Sequence, residues 1–402
     1  MPRSRSGGAA ILVLLLGAAV FLNYVDRGAI GIAAPLMTAQ LELSPKEFGV
    51  IVSAFFWVYA PLQLFVGWLV DRFSVYKLIA AGVLLWAAGT LLTGFAVGFV
   101  SLLLLRILLG AGETIAFPGG SKIIAERVPA ERRGLANAAL ALGIALGPAA
   151  GTLAGGLILA TYGWRAIFIV FGIVTLAWLL PWHLVTRELG TTRSLRISVP
   201  LRALVGRWSL WSMSIAHAAS NYVFYFILSW LPLYLTKSRG MAITEMTLLA
   251  TLGYAAQAIA ALSFGAVSDW WTSGGRSEAA VRRWMMVAGQ LLAGLAVLGI
   301  AFADSTVELA LLLIVAGVAT GALSLNIYAV AQMFAGPRAA GTWVGFQNAL
   351  GNTSGIFGPI VTGIIVESAG YGTAFAVTAA VSVAGALWWI FAVPKIEPIT
   401  LD

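Results

Sequence analysis

The stretch Gly67-Trp-Leu-Val-Asp71-Arg72 closes one apolar segment, and a related stretch, Gly265-Ala-Val-Ser-Asp269, closes another apolar segment 198 residues later. A loop with basic residues follows in both places. Tyr162-Gly163 recurs as Tyr371-Gly372 at an offset of about 200 residues. Motifs that repeat at offsets of about 200 residues predict a duplicated chain with two halves of similar fold.

Composition places these halves in a membrane. Of the 402 residues, 60% are hydrophobic and only 10% are charged, and the mean hydropathy is +0.94. A membrane-spanning helix needs about 20 apolar residues. Twelve such helices with short loops use nearly the whole chain, which leaves no length for a soluble catalytic domain.

The apolar stretches and the residues that interrupt them predict twelve spans. The predicted spans are 9-38, 48-70, 78-97, 99-121, 133-160, 165-186, 208-236, 243-269, 283-302, 306-332, 341-367 and 371-393. The first run has no small-residue cleavage site after it, so we read it as an uncleaved span. We therefore predict an N-terminal six-helix bundle at 1-186, a cytoplasmic linker at 187-207 and a C-terminal six-helix bundle at 208-402.

Basic residues predict the orientation of these spans. Of the 24 lysines and arginines, 18 fall in loops or termini on one side, four on the other, and two inside spans. Cytoplasmic loops carry the excess of basic residues, so both termini are expected in the cytoplasm of a bacterial-type inner membrane. The net charge of +8 then reflects topology, and no nucleic-acid partner is expected.

Several function classes are excluded by residue types that the chain lacks. It has no cysteine, and His183 and His217 are its only histidines. Thiol nucleophiles, thiolate metal sites and a histidine-rich metal cage are therefore absent. We expect neither an enzyme nor a resident metal or cofactor, and a non-transporting membrane sensor is left as a remote alternative.

Four ionisable residues lie within predicted spans: Asp26 and Arg27 in the first, and Arg106 and Glu113 in the fourth. A charge at the bilayer centre costs about 2.5–3.5 kcal/mol on insertion scales, so these groups must pair or face water. Arg106 and Glu113 are seven residues apart, which places them on one helix face about 10 Å apart. Asp26 and Arg27 point about 100° apart, so span four is the expected source of their counter-charges, and all four groups are expected to converge.

A family resemblance is carried by several motifs spread over both halves. The Gly67 and Gly265 stretches resemble those of major facilitator superfamily transporters. Asn23-Tyr-Val-Asp-Arg27, Arg106-x6-Glu113, Trp230-Leu-Pro-Leu-Tyr234 and Gly345-Phe-Gln-Asn348-x3-Asn352 resemble the anion:cation symporter family. That family includes bacterial hexonate and hexuronate carriers and animal sialic acid and vesicular glutamate carriers. The resemblance implies two six-helix bundles, alternating access, protons as the coupling ion and a monomer.

Residue chemistry and the resemblance agree on roles for the four charges. Arg27 offers a permanently charged planar fork for a substrate carboxylate. Burial and a neighbouring arginine act on a carboxyl group in opposite directions, so Asp26 and Glu113 can bind protons in a state-dependent way, with Arg106 as their exchange partner. A static ion network is the alternative, although apolar packing could replace such a network without loss.

Other mid-span polar residues are candidates for binding a hydroxylated ligand, and interhelical hydrogen bonding is the alternative for each. The candidates are Tyr24, Asn221, Tyr222, Tyr225, Gln347, Asn348 and Asn352. Tyr24 lies about one turn from Arg27, and Asn348 and Asn352 share a helix face. Candidates for gating are Gly67, Asp71, Arg72, Lys77, Gly265 and Asp269, with loop capping and topology as their alternative.

We expect a proton-coupled symporter that brings a sugar acid or related small carboxylate into the cell. The fifth span, Asn137-Ala-Ala-Leu-Ala-Leu-Gly-Ile-Ala-Leu-Gly-Pro148, lacks the polar stretch typical of related sugar-acid carriers, so a less hydroxylated or partly aromatic carboxylate competes. An anion exchanger, or an efflux transporter for aromatic acids or drugs, is the alternative within the superfamily.

Overall fold

The computed structural model describes residues 3–129, 132–187, 189 and 199–400, apart from the side chains at positions 3–8, 71, 134, 269, 325 and 337. Within these residues the regular elements are helices, without strands. The first six helices are α1 (Arg3–Gln40), α2 (Pro45–Arg72), α3 (Val75–Thr93), α4 (Phe99–Glu113), α5 (Ala116–Arg127) and α6 (Arg133–Tyr162). The others are α7 (Trp164–Thr186), α8 (Trp208–Leu233), α9 (Ile243–Ser273), α10 (Glu278–Phe302), α11 (Thr306–Gly351) and α12 (Thr353–Phe391).

The number of long apolar helical stretches in the described residues differs from the twelve predicted spans. In the described residues, eleven helical stretches are long and apolar enough to cross a membrane, and the last, Arg338–Phe391, has 54 residues. A helix of that length would extend about 80 Å, whereas the apolar core of a bilayer is about 30 Å thick. Gly370 interrupts it with φ 78°, a left-handed conformation that glycine adopts readily. The stretch therefore provides two spans, as predicted.

Two predicted spans each contain a short interruption of the helix, called a break below, at which the backbone keeps right-handed φ and ψ angles. The fourth consists of α4 and α5, separated at Thr114 and Ile115. The eleventh is divided at Asn352, between the end of α11 and the start of α12. Apolar periodicity does not reveal these breaks, because the apolar stretch of each span continues beyond the few polar residues at the break.

The chain divides into two compact units. Unit 1 comprises Met1–Leu43 and Ala54–Arg196, and unit 2 comprises Ser44–Ser53 and Ile197–Asp402. Of the predicted linker 187–207, positions 188 and 190–198 lie outside the described residues, and Leu201–Ala203 form a short 3-10 helix. The predicted domain limits stay a prediction.

In unit 1, close packing of α6 on α1 depends on glycine. A Cβ atom on Gly147 would lie 2.5 Å from the Cβ of Tyr24, and one on Gly151 would lie 2.8 Å from the Cα of Val25. Gly143 similarly faces the backbone of Phe21. The glycines of the fifth span therefore bring two helix backbones together, and this packing gives a physical reason for the lack of polar side chains there.

Candidate functional site

A buried ion pair joins α1 to the end of α4 in unit 1. Arg27 Nε donates a hydrogen bond to Glu113 Oε2 at 2.8 Å. Only 9% of Arg27 and 2% of Glu113 are exposed. The counter-charge of Arg27 thus comes from span four, and both charged groups are removed from water and lipid.

The end of α4 is shaped by small residues that precede Glu113. A Cβ atom on Gly110 would lie 2.2 Å from the Phe55 carbonyl oxygen, and one on Gly112 would lie 2.5 Å from the Trp86 backbone nitrogen. Thr114 Oγ1 donates to the Gly110 carbonyl at 2.8 Å. These contacts bring the last turn of α4 against α2 and α3, and the helix ends where Glu113 meets Arg27.

Three aromatic rings surround the guanidinium of Arg27. Its Cζ atom lies 5.0 Å from the ring centroid of Tyr24, 5.2 Å from that of Phe55 and 4.6 Å from that of Tyr59. Rings at this distance stabilise a cation through their electron-rich faces. Sequence reasoning missed Phe55 and Tyr59, because their spacing of four places them on one helix face but does not show that this face meets Arg27.

Arg106 approaches the same group from α4. Its Cζ atom lies 5.1 Å from the ring centroid of Phe55, and its charge acts on Glu113. Among the described residues, neither Arg106 Nε nor Glu113 Oε1 has a hydrogen-bond partner. Glu113 therefore retains an acceptor oxygen, and Arg106 a donor, that the pair with Arg27 does not use.

Within the described residues Asp26 forms no ion pair with the arginines of this cluster, although its charge and that of Glu113 act on each other, and convergence of all four charged groups stays a prediction. The Oδ2 atom of Asp26 accepts hydrogen bonds from Trp86 Nε1 at 2.6 Å, Thr175 Oγ1 at 3.3 Å and Thr90 Oγ1 at 3.4 Å. Neutral donors on α3 and α7 replace the expected cation from span four. Trp86 and Thr90, four residues apart in an apolar span, were the missed signal.

In unit 2, five of the six predicted ligand-binding residues gather around the break at Asn352. Asn221 Nδ2 donates to the Gly351 carbonyl at 3.2 Å, and the Tyr225 hydroxyl donates to Asn352 Oδ1. Asn352 Nδ2 donates to the Asn348 carbonyl at 2.7 Å. Two of these bonds join α8 to the broken helix, as the alternative role of interhelical hydrogen bonding requires. Substrate binding by these residues stays a prediction.

The remaining bonds of this cluster involve residues that the sequence did not single out. The Tyr328 hydroxyl donates to Asn348 Oδ1 at 3.0 Å, and Trp343 Nε1 donates to Gln347 Oε1 at 3.0 Å. Tyr222 lies away from the break, because its ring faces Gly358 and its hydroxyl bonds Thr362. The missed Tyr328 lies in a mixed run of small and apolar residues, which carries no clear sequence signal.

The predicted gating residues whose side chains the structure describes show few contacts. Gly67 and Gly265 face open space, and Lys77 is exposed. The Arg72 Cζ atom lies 5.5 Å from the ring centroid of Trp68, and the side chains of Asp71 and Asp269 lie outside the described part of the chain. Gating by these residues stays a prediction.

Comparison with known proteins identifies the family. The model of the Major Facilitator Superfamily matches residues 16–277 and 234–400. The chain belongs to the Major Facilitator Superfamily. Superfamily membership and the twelve spans confirm the predicted fold class, an all-α membrane protein with two six-helix bundles.

Relatives of this chain within the superfamily include anion carriers. The chain is 29% identical to the hexuronate transporter of Bacillus subtilis over 89% of this chain and 88% of the relative. It is 28% identical to the probable anion transporter 4, chloroplastic, of Oryza sativa subsp. japonica, over 94% of this chain and 67% of the relative. These relatives confirm the resemblance to a family of anion carriers within the superfamily.

Solved structures support the fold alone. The crystal structure of a bacterial homolog to human lysosomal transporter Spinster, in its inward-facing and occupied conformation, has a TM-score of 0.82. The match covers 96% of this chain and 97% of that chain at 20% identity.

Proposed function

We propose that this protein is a proton-coupled symporter that moves a small monovalent organic carboxylate into the cell by alternating access. Arg27 binds the substrate carboxylate, and Glu113 and Asp26 carry protons. The basic loops support a bacterial-type inner membrane with both termini in the cytoplasm. The working unit in this proposal is a monomer.

The buried pair between Arg27 and Glu113 carries the proposal. A substrate carboxylate and the Glu113 carboxylate need the same guanidinium fork, so each competes with the other for Arg27. Protonation of Glu113 removes its charge and releases Arg27 for the substrate. An unpaired buried arginine is costly, so proton binding and anion binding favour each other.

Arg106 completes this exchange of partners. When the substrate occupies Arg27, an ionised Glu113 needs another cation. Arg106 lies on the same helix, and its Nε atom has no hydrogen-bond partner within the described residues. Loss of the proton from Glu113 is therefore followed by pairing with Arg106 or by return to Arg27, which expels the substrate carboxylate.

Asp26 provides a second, separate protonation site in this proposal. We expect Asp26→Asn to fold and to exchange substrate, because an amide oxygen can accept the bonds from Trp86 and Thr90 in place of the carboxylate. Accumulation driven by a pH gradient should fall about tenfold or more, since one proton carrier is lost. Proteoliposome uptake with and without the gradient measures this, and unchanged gradient-driven accumulation would remove Asp26 from the mechanism.

The substrate is proposed as a sugar acid or a related small carboxylate. The hexuronate transporter of Bacillus subtilis supports a hydroxylated acid. The aromatic rings around Arg27 and the apolar fifth span are compatible with less hydroxylated acids. A thermal-shift screen against organic acids selects the compound, because a ligand that binds only the folded protein raises its melting temperature.

Proton coupling is tested by the selected acid and a pH-sensitive dye enclosed in proteoliposomes. An inward substrate gradient should acidify the lumen in the wild-type protein, and protein-free liposomes give the background. Substrate uptake without a change in luminal pH would favour the anion exchanger or a different coupling ion. Outward-only transport of aromatic acids would favour the efflux alternative.

A further inference from the structure

One face of α8 packs along the break in the eleventh span. His217, Asn221 and Tyr225 are spaced by four residues, which places them on a common face of the helix. Their partners are the Gln347 carbonyl, the Gly351 carbonyl and the Asn352 side chain. Successive turns of α8 therefore contact successive residues of the eleventh span, from Gln347 to Asn352.

The break itself needs such partners. Backbone groups freed inside a membrane must be satisfied by other protein groups. Thr353 Oγ1 donates to the Leu350 carbonyl at 2.6 Å, and Ser354 Oγ donates to the Gly351 carbonyl at 2.9 Å. Bonds from α8 add to these local bonds, so the geometry of the break depends on a second helix.

His217 makes the closest approach to the break. A Cβ atom on Gly351 would lie 2.6 Å from His217 Nδ1 and 2.7 Å from its Cγ, so no side chain fits at position 351 while the imidazole is in place. The His217 ring also meets Tyr328 edge to face, with 5.6 Å between centroids. His217 is thus held between the break and the residue that bonds Asn348.

One ring nitrogen of His217 has no hydrogen-bond partner in the described parts of the chain. This nitrogen is Nδ1, and His217 is 4% exposed. The imidazole interacts with the backbone of Gln347, and its Nδ1 atom faces the Cα of Gly351. A residue kept only to satisfy hydrogen bonds would not leave a buried nitrogen without a partner.

We propose that His217 is a positioning residue that sets the break between α11 and α12 and thereby aims the Asn348 and Asn352 side chains at the substrate. This inference rests on the proposed function, in which these amides bind the transported acid. His217 does not itself contact the substrate in this proposal. Its effect on transport passes through Gly351 and the backbone that follows it.

The first test separates substrate affinity from turnover. With the acid selected by the thermal-shift screen, His217→Ala should raise KM for counterflow roughly five- to tenfold, since a hydrogen bond and a packing contact are lost. The maximal rate should change much less. His217→Gln should restore part of the affinity, because its amide can donate to the Gln347 carbonyl. A lower melting temperature with an unchanged KM in both variants would show a structural role only and overturn the proposal.

The second test needs no substrate and so remains informative if the proposed function fails. Gly351→Ala should lower the melting temperature of the purified protein, because the added methyl meets the imidazole. In the His217→Ala background the same change should cost clearly less. Gly341→Ala on the same helix is the matched control, since no atom lies within 4 Å of its Cβ position. Equal losses in both backgrounds would contradict the contact on which the proposal depends.

Discussion

Glu113→Gln is expected to abolish accumulation driven by a pH gradient while substrate counterflow persists. Glutamine has nearly the shape of the protonated acid and is neutral at every pH, so the variant resembles a carrier with a permanently protonated Glu113. Arg27 is then available to the substrate on both sides of the membrane. Exchange continues, but Glu113 can neither release a proton nor pair with Arg27 as a carboxylate, so the empty carrier cannot return and no net transport cycle is completed.

The size of the effect follows from the driving force. For each proton that accompanies a monovalent anion, a gradient of one pH unit supports about a tenfold accumulation, and the variant should show no accumulation. Proteoliposomes loaded with and without internal substrate measure both modes in the same preparation. Glu245→Gln, an exposed substitution at the start of α9, is the matched control and should retain gradient-driven uptake. If uptake by Glu113→Gln still follows the pH gradient, Glu113 is not the coupling group.

Arg27→Lys should cause the largest loss of substrate affinity. Lysine keeps the positive charge but loses the planar fork that binds a carboxylate through two parallel hydrogen bonds. It also loses the flat surface that packs among Tyr24, Phe55 and Tyr59. Disruption of a buried charged pair typically costs about 2–5 kcal/mol, so we expect KM to rise by about 30-fold or more.

Equilibrium binding and counterflow together measure this loss. Arg165→Lys is the control, because Arg165 Cζ also lies over an aromatic ring, 4.3 Å from the centroid of Trp164, at the start of α7 and away from the cluster. The control should bind substrate as the wild type does. Wild-type affinity in a well-folded Arg27→Lys protein would place the substrate carboxylate elsewhere.

The spans and part of the charged cluster could be predicted because membrane burial leaves few choices. An apolar run of sufficient length must be a helix, and a buried arginine must find an acid. Span four held the nearest candidate for Arg27, and the structure places Glu113 there. The corresponding expectation for Asp26, that a buried acid must pair with a cation, failed. Trp86, Thr90 and Thr175 instead donate hydrogen bonds to it as neutral groups.

Other features depend on distances that a sequence does not encode. Phe55 and Tyr59 are ordinary residues for a membrane span, and only the approach of α2 to α4 at Gly110 turns them toward Arg27. His217 gives no signal by itself, because its role follows from the missing side chain of Gly351. Polar residues near a helix break can either bind substrate or form hydrogen bonds between helices, and their spacing in the sequence does not distinguish these two roles.

The tight contact of α6 with α1 has a consequence for how substrate preference can diversify. Enlarging Gly147 or Gly151 would push α1 away and displace Tyr24 and Arg27 together, so this side of the binding region cannot be reshaped by simple substitution. Phe55 and Tyr59 approach Arg27 through their rings, so we expect a change of size there to displace α1 less. Engineering of this carrier toward bulkier or smaller acids should therefore begin at Phe55 and Tyr59.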